Sequence, residues 1–223
     1  MTKLITVTGR SGAGKTTVAA ILAEKLAEKY CVCLIDNNRI NINIYSAAAS
    51  IENINLYSYL PDKATYCRAI KESASEIKKN LYFFSGSHEL LAEEQIQLLK
   101  EQNIFEYIVL DSEVMINSEL SDYDISVINP NKFEYEMAAT SEKNIIVVNR
   151  YDENTELKVR KDDFKLYFCP ELINFSNGYE LNLPEVNEFE VSKFIEKITN
   201  KKGNTKIKKS RVNLLKEHFK KKF

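Results

Sequence analysis

The chain has 223 residues, of which 44% are hydrophobic and 28% charged, and this balance is typical of a globular domain with a buried core. Its net charge is −1, and it contains no run of about eighteen apolar residues that would form a membrane-spanning helix. Four scattered cysteines (Cys31, Cys33, Cys67 and Cys169) argue against a disulfide framework and favour a reduced, cytoplasmic protein.

The first predicted strand covers residues 4–8, and it begins so early that we expect no signal peptide. The sequence GRSGAGKT follows at residues 9–16 and fits the phosphate-binding pattern G-x-x-x-x-G-K-[ST]. Its glycines let backbone N–H groups turn inward around a phosphate, Lys15 would reach the β- and γ-phosphates, and the Thr16 hydroxyl would ligate Mg²⁺. A predicted helix over 16–29 adds its positive dipole end. An ordinary strand-to-helix turn is the less favoured alternative.

The second predicted strand, 30–35, ends at Asp36, and a later apolar strand, 105–110, ends at Asp111. Acids at the carboxyl ends of parallel strands lie where ligands bind in open α/β sheets. We therefore expect Asp111 to hold Mg²⁺, directly or through water, and Asp36 to orient a water molecule or to contact the metal. The alternatives are a helix cap or turn at Asp111 and an Asx-turn at Asp36.

The remaining pattern alternates between strands and helices. Further strands are predicted at 81–84, 124–128, 144–148 and 165–168, and further helices at 62–79, 88–101, 132–141 and 186–198; residues 40–60 have no clear pattern. This order predicts an α/β, three-layer P-loop NTPase fold over residues 1–200, with a mostly parallel central sheet and helices on both faces. Cys31 and Cys33 share one face of a strand and are better explained as small buried side chains than as a metal or redox pair.

Five segments together resemble the ParA/MinD family of P-loop ATPases, of the SIMIBI class. GRSGAGKTT, CLIDNN and YIVLDSE are similar to the family's GKGGxGKTT, LIDxD and YIIIDTP, and VINPNKFEYEMAA and VVNR resemble the strands and helix that follow. The resemblance covers about residues 1–150, and among the branches the small pilus and secretion assembly ATPases such as TadZ are similar in character. It implies ATP and Mg²⁺ as cofactors, an ATP-dependent homodimer and slow hydrolysis that positions or assembles a larger machine.

The resemblance also implies the residues of the site. Nucleotide contacts would come from Gly9, Ser11, Gly12, Ala13, Gly14, Lys15, Thr16, Thr17 and, at adenine, Asn149; metal contacts from Thr16, Asp111 and Asp36; catalysis from Lys15, Asp36 and Arg10. The family's signature lysine is Arg10 here, and it would reach across the dimer or face solvent. Ser11 replaces a glycine, which requires a negative φ. The family's second acid after Asp36 is absent, with Asn37 and Asn38 instead, and Ser112-Glu113 follows Asp111 where the family has a proline.

Two other functions compete with this switch ATPase. The loop also resembles those of small-molecule kinases, which need an arginine-bearing lid over the transferred phosphate. Arginine is sparse in the second half of the chain, at Arg150, Arg160 and Arg211, and none lies in a lid-like cluster. A module that holds nucleotide without hydrolysing it is the third candidate.

Residues 201–223 form a basic tail, with ten Lys or Arg and one acid. Val212, Leu215, Phe219 and Phe223 fall on one helical stripe, which predicts an amphipathic helix that binds an anionic membrane and resembles the targeting helix of MinD-type proteins. A docked or solvated tail is an equal alternative, and nucleic acid is less favoured because few aromatics interleave the lysines. We expect a cytoplasmic protein, with this tail as its contact to the inner face of the membrane.

Overall fold

The computed structural model describes residues 1–38, 75–85, 90–114, 116–117, 119–140, 144–152, 154–170, 172 and 181–199. The unassigned region 40–60, most of the predicted helix 62–79, Cys67, His88 and the basic tail lie outside the described residues. In the described part of the chain, none of the helices combines the length and the apolar character needed to cross a bilayer.

Eight strands and four helices make up the described fold. The strands are β1 (Lys3–Gly9), β2 (Val32–Asn37), β3 (Ser75–Lys78), β4 (Leu81–Ser85), β5 (Tyr107–Ser112), β6 (Tyr123–Ile128), β7 (Asn144–Tyr151) and β8 (Phe164–Tyr167); the helices are α1 (Lys15–Ala27), α2 (Glu93–Glu101), α3 (Lys132–Ala138) and α4 (Glu185–Thr199). These eight strands form one sheet in the order β3-β4-β2-β5-β1-β6-β7-β8, and within the described residues only the β3–β4 pairing is antiparallel.

Helices cover both faces of the sheet, because successive side chains of each buried strand point to opposite faces. In β1, Ile5 and Val7 pack in the cluster that contains α1 and α4, whereas Leu4 packs in the cluster that contains α2. In β7, Val147 joins the first cluster and Ile146 packs with Tyr135 of α3. This arrangement is the three-layer, mostly parallel α/β fold that the sequence predicts.

The prediction of a helix over 62–79 is wrong at its described end. Ser75–Lys78 is the edge strand β3, which pairs antiparallel with β4 through a two-residue turn, Lys79-Asn80. Asn80 has a φ of 66°, a left-handed conformation that asparagine tolerates and that such tight hairpin turns require. A single asparagine after two lysines does not disturb a helical pattern, so this turn leaves no clear signal in the sequence.

Two strands lie further along the chain than predicted, and this difference affects the site. β2 and β5 each begin and end about two residues later than the apolar runs suggest, so Asp36 and Asp111 belong to the strands themselves. Both aspartates are buried, at 1% and 0% exposure. The apolar pattern ends before them because these two buried positions carry charged groups, and a hydrophobicity pattern cannot assign such residues to a strand.

Candidate functional site

Three glycines of the loop between β1 and α1 have backbone conformations that side-chain-bearing residues rarely adopt. Gly9, Gly12 and Gly14 have φ values of 152°, 77° and 93°. A Cβ at Gly9 would overlap the carbonyl oxygen of Val127, and a Cβ at Gly14 would overlap the side-chain amide of Asn149. The loop is therefore pressed closely against the ends of β6 and β7, and Gly9 and Gly14 are required for space as well as for conformation.

The rest of the loop is compatible with its sequence. Of the described residues other than glycine, Asn80, Asn103 and Arg150 have a positive φ, so Ser11 has the negative φ that its side chain needs. The Ala13 N–H donates to the carbonyl oxygen of Arg10 at 3.1 Å and closes a turn, and the Ala13 side chain is fully buried. Ser11 and Gly12 are exposed at the tip.

The amino end of α1 has the character of an anion site. Gly14 caps the helix without a side-chain hydrogen bond, and no acidic residue lies in its first turn. By contrast, the Asn131 side chain caps α3 by accepting from the N–H groups of Phe133 and Glu134. The first N–H groups of a helix need acceptors from outside it, and the helix dipole favours negative charge there. A phosphate meets both requirements.

Thr16 and Asp111 form the closest polar contact of the site. The Thr16 hydroxyl donates to Asp111 Oδ2 at 2.6 Å, so α1 and β5 meet at the predicted metal ligands. Asp111 Oδ1 is also buried and has no hydrogen-bond partner among the described residues. An orphaned carboxylate oxygen beside a hydroxyl is a hard oxygen donor set of the kind Mg²⁺ binds, so these residues fit the metal.

Burial raises the pKa of the Asp111 carboxyl above its ordinary value, because the charged form loses its hydration. Three nearby groups oppose this shift: the Thr16 hydroxyl, the positive charge of Lys15 and the Asn38 amide. Lys15 thus acts electrostatically on the predicted metal ligand while it lies in the phosphate loop. The site holds a carboxylate at an energetic cost, and such groups are common at functional sites.

Asp36 lies beside Asp111, because the two residues are register partners on the neighbouring parallel strands β2 and β5. The Asn38 side-chain N–H group donates to Asp36 Oδ1 at 2.7 Å and to the backbone oxygen of Asp111 at 3.2 Å. Asn37 instead points into the fold, where its oxygen accepts from the Leu91 N–H at 2.7 Å. Asn38 therefore belongs to the site, although its sequence position predicted only the absence of the family's second acid.

Arg10 lies at the outer side of the loop, and its side chain is 75% exposed. One guanidinium nitrogen is 3.5 Å from Glu134 Oε1 on α3, and Glu134 Oε2 accepts from the Asn129 N–H. The same short helix presents Phe133 and Met137 to solvent, at 66% and 61% exposure. An exposed cation therefore borders an exposed apolar helix face.

Asn149, predicted to contact adenine, is held at the end of β7. Its side-chain N–H group donates to the carbonyl oxygen of Ala13 at 2.8 Å, and the residue is 6% exposed. It borders a cavity that we call the β7–β8 cavity, which is lined by Gly14, Thr17, Asn149, Arg150, Phe168, Cys169 and Leu172. The structure thus places Asn149 against the phosphate loop and beside a cavity next to it.

Most of the residues that line this cavity were not predicted from the sequence. Arg150 has a φ of 55°, and the pairing of β7 with β8 shifts register between Val148 and Tyr151. Phe168 and Cys169 follow directly after β8 and reach the same edge of the sheet as the loop. The available signal was that the predicted strand 165–168 ended at Phe168, directly before Cys169.

A glycine loop between a buried strand and a helix, with an acid at the end of a neighbouring strand, defines a P-loop nucleotide-binding protein. A profile of the CobQ/CobB/MinD/ParA nucleotide binding domain matches residues 4–168. The chain therefore belongs to this family, which confirms the resemblance seen in its sequence. No curated protein sequence matches it.

Solved structures support the same fold. MinD from Aquifex aeolicus has a TM-score of 0.67 at 19% identity, with 92% of this chain and 100% of that chain covered. A putative plasmid partition protein from Borrelia burgdorferi bound to AMPPNP has a TM-score of 0.61 at 21% identity, with 89% of this chain and 100% of that chain covered. MinD from Pyrococcus horikoshii complexed with Mg-ADP has a TM-score of 0.64 at 17% identity, with 89% of this chain and 96% of that chain covered.

Proposed function

We propose that this chain is a nucleotide-dependent switch that binds ATP with Mg²⁺, dimerises across the bound nucleotides and hydrolyses ATP slowly. The observation that carries the proposal is the Thr16–Asp111 contact directly beneath the glycine loop. It joins a hydroxyl and a buried carboxylate with an orphaned oxygen at the amino end of α1. Membership of the family and the nucleotide-bound structures of similar fold support it.

Each side chain has a distinct task in this proposal. The loop N–H groups and Lys15 bind the phosphates, and Lys15 stabilises the charge that develops on them during hydrolysis. Asp36 orients the attacking water, whose oxygen bonds to the γ-phosphorus as the bond to the β–γ bridging oxygen breaks. Thr16 and Asp111 would hold Mg²⁺, which when bound supplies positive charge to the phosphates.

The dimer interface in this proposal includes the loop tip and α3. Arg10 is exposed beside the loop, and a guanidinium can bind phosphate oxygens in a bidentate manner. Phe133 and Met137 provide an apolar face next to it, and exposed apolar faces of this kind are common at protein interfaces. Arg10 would therefore reach the phosphates held by the partner copy, so that ATP rather than ADP closes the dimer.

The output of the switch is the positioning or assembly of a larger machine. A dimer that forms with ATP and separates after hydrolysis gives a partner protein a timed binding surface. The basic tail would add reversible contact with an anionic membrane at the inner face, and dimerisation would strengthen it through avidity.

The test measures the size of the full-length protein in solution with ATP and with ADP, with Mg²⁺ present. We expect a dimer with ATP only, lost in Lys15→Ala and retained in Asp36→Ala, because Lys15 binds the phosphates whereas Asp36 acts in hydrolysis. Lys29→Ala, at an exposed position after α1, is the matched control and should behave as wild type. A monomer of unchanged size under every condition would contradict the switch.

A further inference from the structure

The inference concerns Asn187, a fully buried residue in the first turn of α4. Its side-chain oxygen accepts from the Tyr167 N–H at 2.7 Å, and its side-chain N–H group donates to the Tyr167 carbonyl oxygen at 2.8 Å. One amide therefore pairs with both backbone groups of one residue, as a neighbouring strand would. β8 is the last strand of the sheet in the described part of the chain, and Asn187 satisfies its outer edge.

This pair of contacts requires a short side chain that carries both an acceptor oxygen and a donor N–H group, as asparagine does. An aspartate lacks the donor, and an alanine or leucine lacks both groups. Because Asn187 is fully buried, bulk water does not reach the Tyr167 N–H and carbonyl groups to replace the two hydrogen bonds that are lost with the amide. The contact therefore fixes the path of the backbone at Tyr167.

That backbone leads directly to the β7–β8 cavity. Phe168 and Cys169, the next two residues, line it, and the Asn187 side-chain N–H group also contacts Cys169 Sγ at 3.4 Å. From the opposite side, the Phe168 N–H donates to the carbonyl oxygen of Tyr151 at 3.1 Å. The cavity wall is thus held between β7 and α4, and Asn187 supplies the α4 side.

The other walls of the cavity belong to the nucleotide site. Gly14 and Thr17 come from the phosphate loop and the start of α1, and Asn149 is bonded to Ala13 of the loop. A nucleotide whose phosphates lie in the loop would place its base or ribose against this cavity. The phosphates of the nucleotide would therefore depend on the loop and α1, whereas its base would also depend on the segment after β8 that α4 holds.

We propose that Asn187 is a positioning residue for the base end of the nucleotide, acting through Tyr167 on the wall formed by Phe168 and Cys169. This inference rests on the proposed binding of ATP. It predicts that Asn187, although it does not line the cavity, sets how strongly the base contributes to the affinity for ATP. A purely structural role would instead weaken every ligand of the loop alike.

The test compares the affinity of the full-length protein for ATP and for inorganic tripolyphosphate, each with Mg²⁺, in wild type and in Asn187→Ala. We expect the affinity for ATP to fall about tenfold and that for tripolyphosphate to stay within about twofold. Gln95→Ala is the matched control, since Gln95 is a buried amide that accepts from the Ala92 N–H on α2, and it should leave the ratio unchanged.

A second measurement uses the wild-type protein and does not depend on the folding of a variant. Hydrogen exchange of the Tyr167 amide, followed by NMR, should slow when ATP is added and stay unchanged with tripolyphosphate. An equal fall in both affinities, or Tyr167 exchange that ATP does not slow, overturns the proposal. Failure of wild type to bind ATP would instead count against the proposed function itself.

Discussion

Asp36 and Asp111 occupy matching register positions on the adjacent parallel strands β2 and β5, so both carboxyl groups lie on one face at one edge of the sheet. The Asn38 amide contacts the side chain of the first and the backbone of the second. A neutral donor therefore stands between two buried acidic residues. A third acid at this position would add a like charge where desolvation already disfavours ionisation.

The first prediction concerns the stability cost of Asp111. In buffer without nucleotide or Mg²⁺ at neutral pH, Asp111→Asn should raise the free energy of unfolding by about 1 kcal/mol, because it removes a buried charge. The same variant should lose Mg²⁺-dependent nucleotide affinity. Urea denaturation and nucleotide titration measure the two effects. Asp162→Asn, at an exposed position, should change neither.

The second prediction gives the pH dependence of the difference in unfolding free energy between Asp111→Asn and wild type. Because the pKa of Asp111 is raised in the folded protein, its proton binds more tightly there than in the unfolded chain, where the ordinary value is 3.8. The contribution of Asp111 to stability is therefore lost as the pH rises from that value through the raised pKa. Urea titrations from about pH 4 to about pH 8 should show a widening gap between Asp111→Asn and wild type. A gap that widens toward acid would refute this sign.

The third prediction separates two glycines of the loop. Gly9→Ala places a Cβ against the Val127 carbonyl and should cost at least about 2 kcal/mol of unfolding free energy. The Cβ of Gly12→Ala meets no atom of the described residues within 4 Å, so this variant should lose only about 1 kcal/mol for its positive φ. Urea denaturation of both variants provides the comparison. Equal losses would mean that the loop does not pack against β6 as described.

The fourth prediction concerns Arg10. Its contact with Glu134 is long and exposed, so Arg10→Ala should change the unfolding free energy of the monomer by less than about 0.5 kcal/mol. The ATP-dependent dimer should nevertheless weaken by about tenfold, because the partner's phosphates lose a charge-assisted donor. Analytical ultracentrifugation with ATP measures the dimer. Lys132→Ala, on the same surface, is the control, and equal weakening in both variants would assign the effect to general charge.

The sequence predicted the parts of this fold that carry a regular pattern. β1, β4, β6, β7, β8 and helices α1 and α4 lie close to their predicted positions, because apolar periodicity and the glycine motif specify them. The resemblance also named Asn149, whose side chain contacts the loop. The β3 hairpin was missed because its turn depends on one left-handed asparagine.

The rest of the site depends on contacts between distant segments, which no local pattern encodes. Asn38 contacts Asp111, 73 positions away, and Asn187 contacts Tyr167, 20 positions away. Arg150 enters the cavity lining at a shift in strand register. Such positions become visible only when the sheet order is known, because register decides which side chains meet.

The packing of Gly9 against Val127 and of Asn149 against Ala13 has a consequence for how the protein matures. The motif is complete within the first 17 residues, yet the strands that shape it lie more than 100 residues further along the chain. A nascent chain that ends before β6 contains the complete motif but lacks the strands β6 and β7 that pack against the loop. Nucleotide affinity should therefore appear only after β6 and β7 have joined the sheet beside the loop.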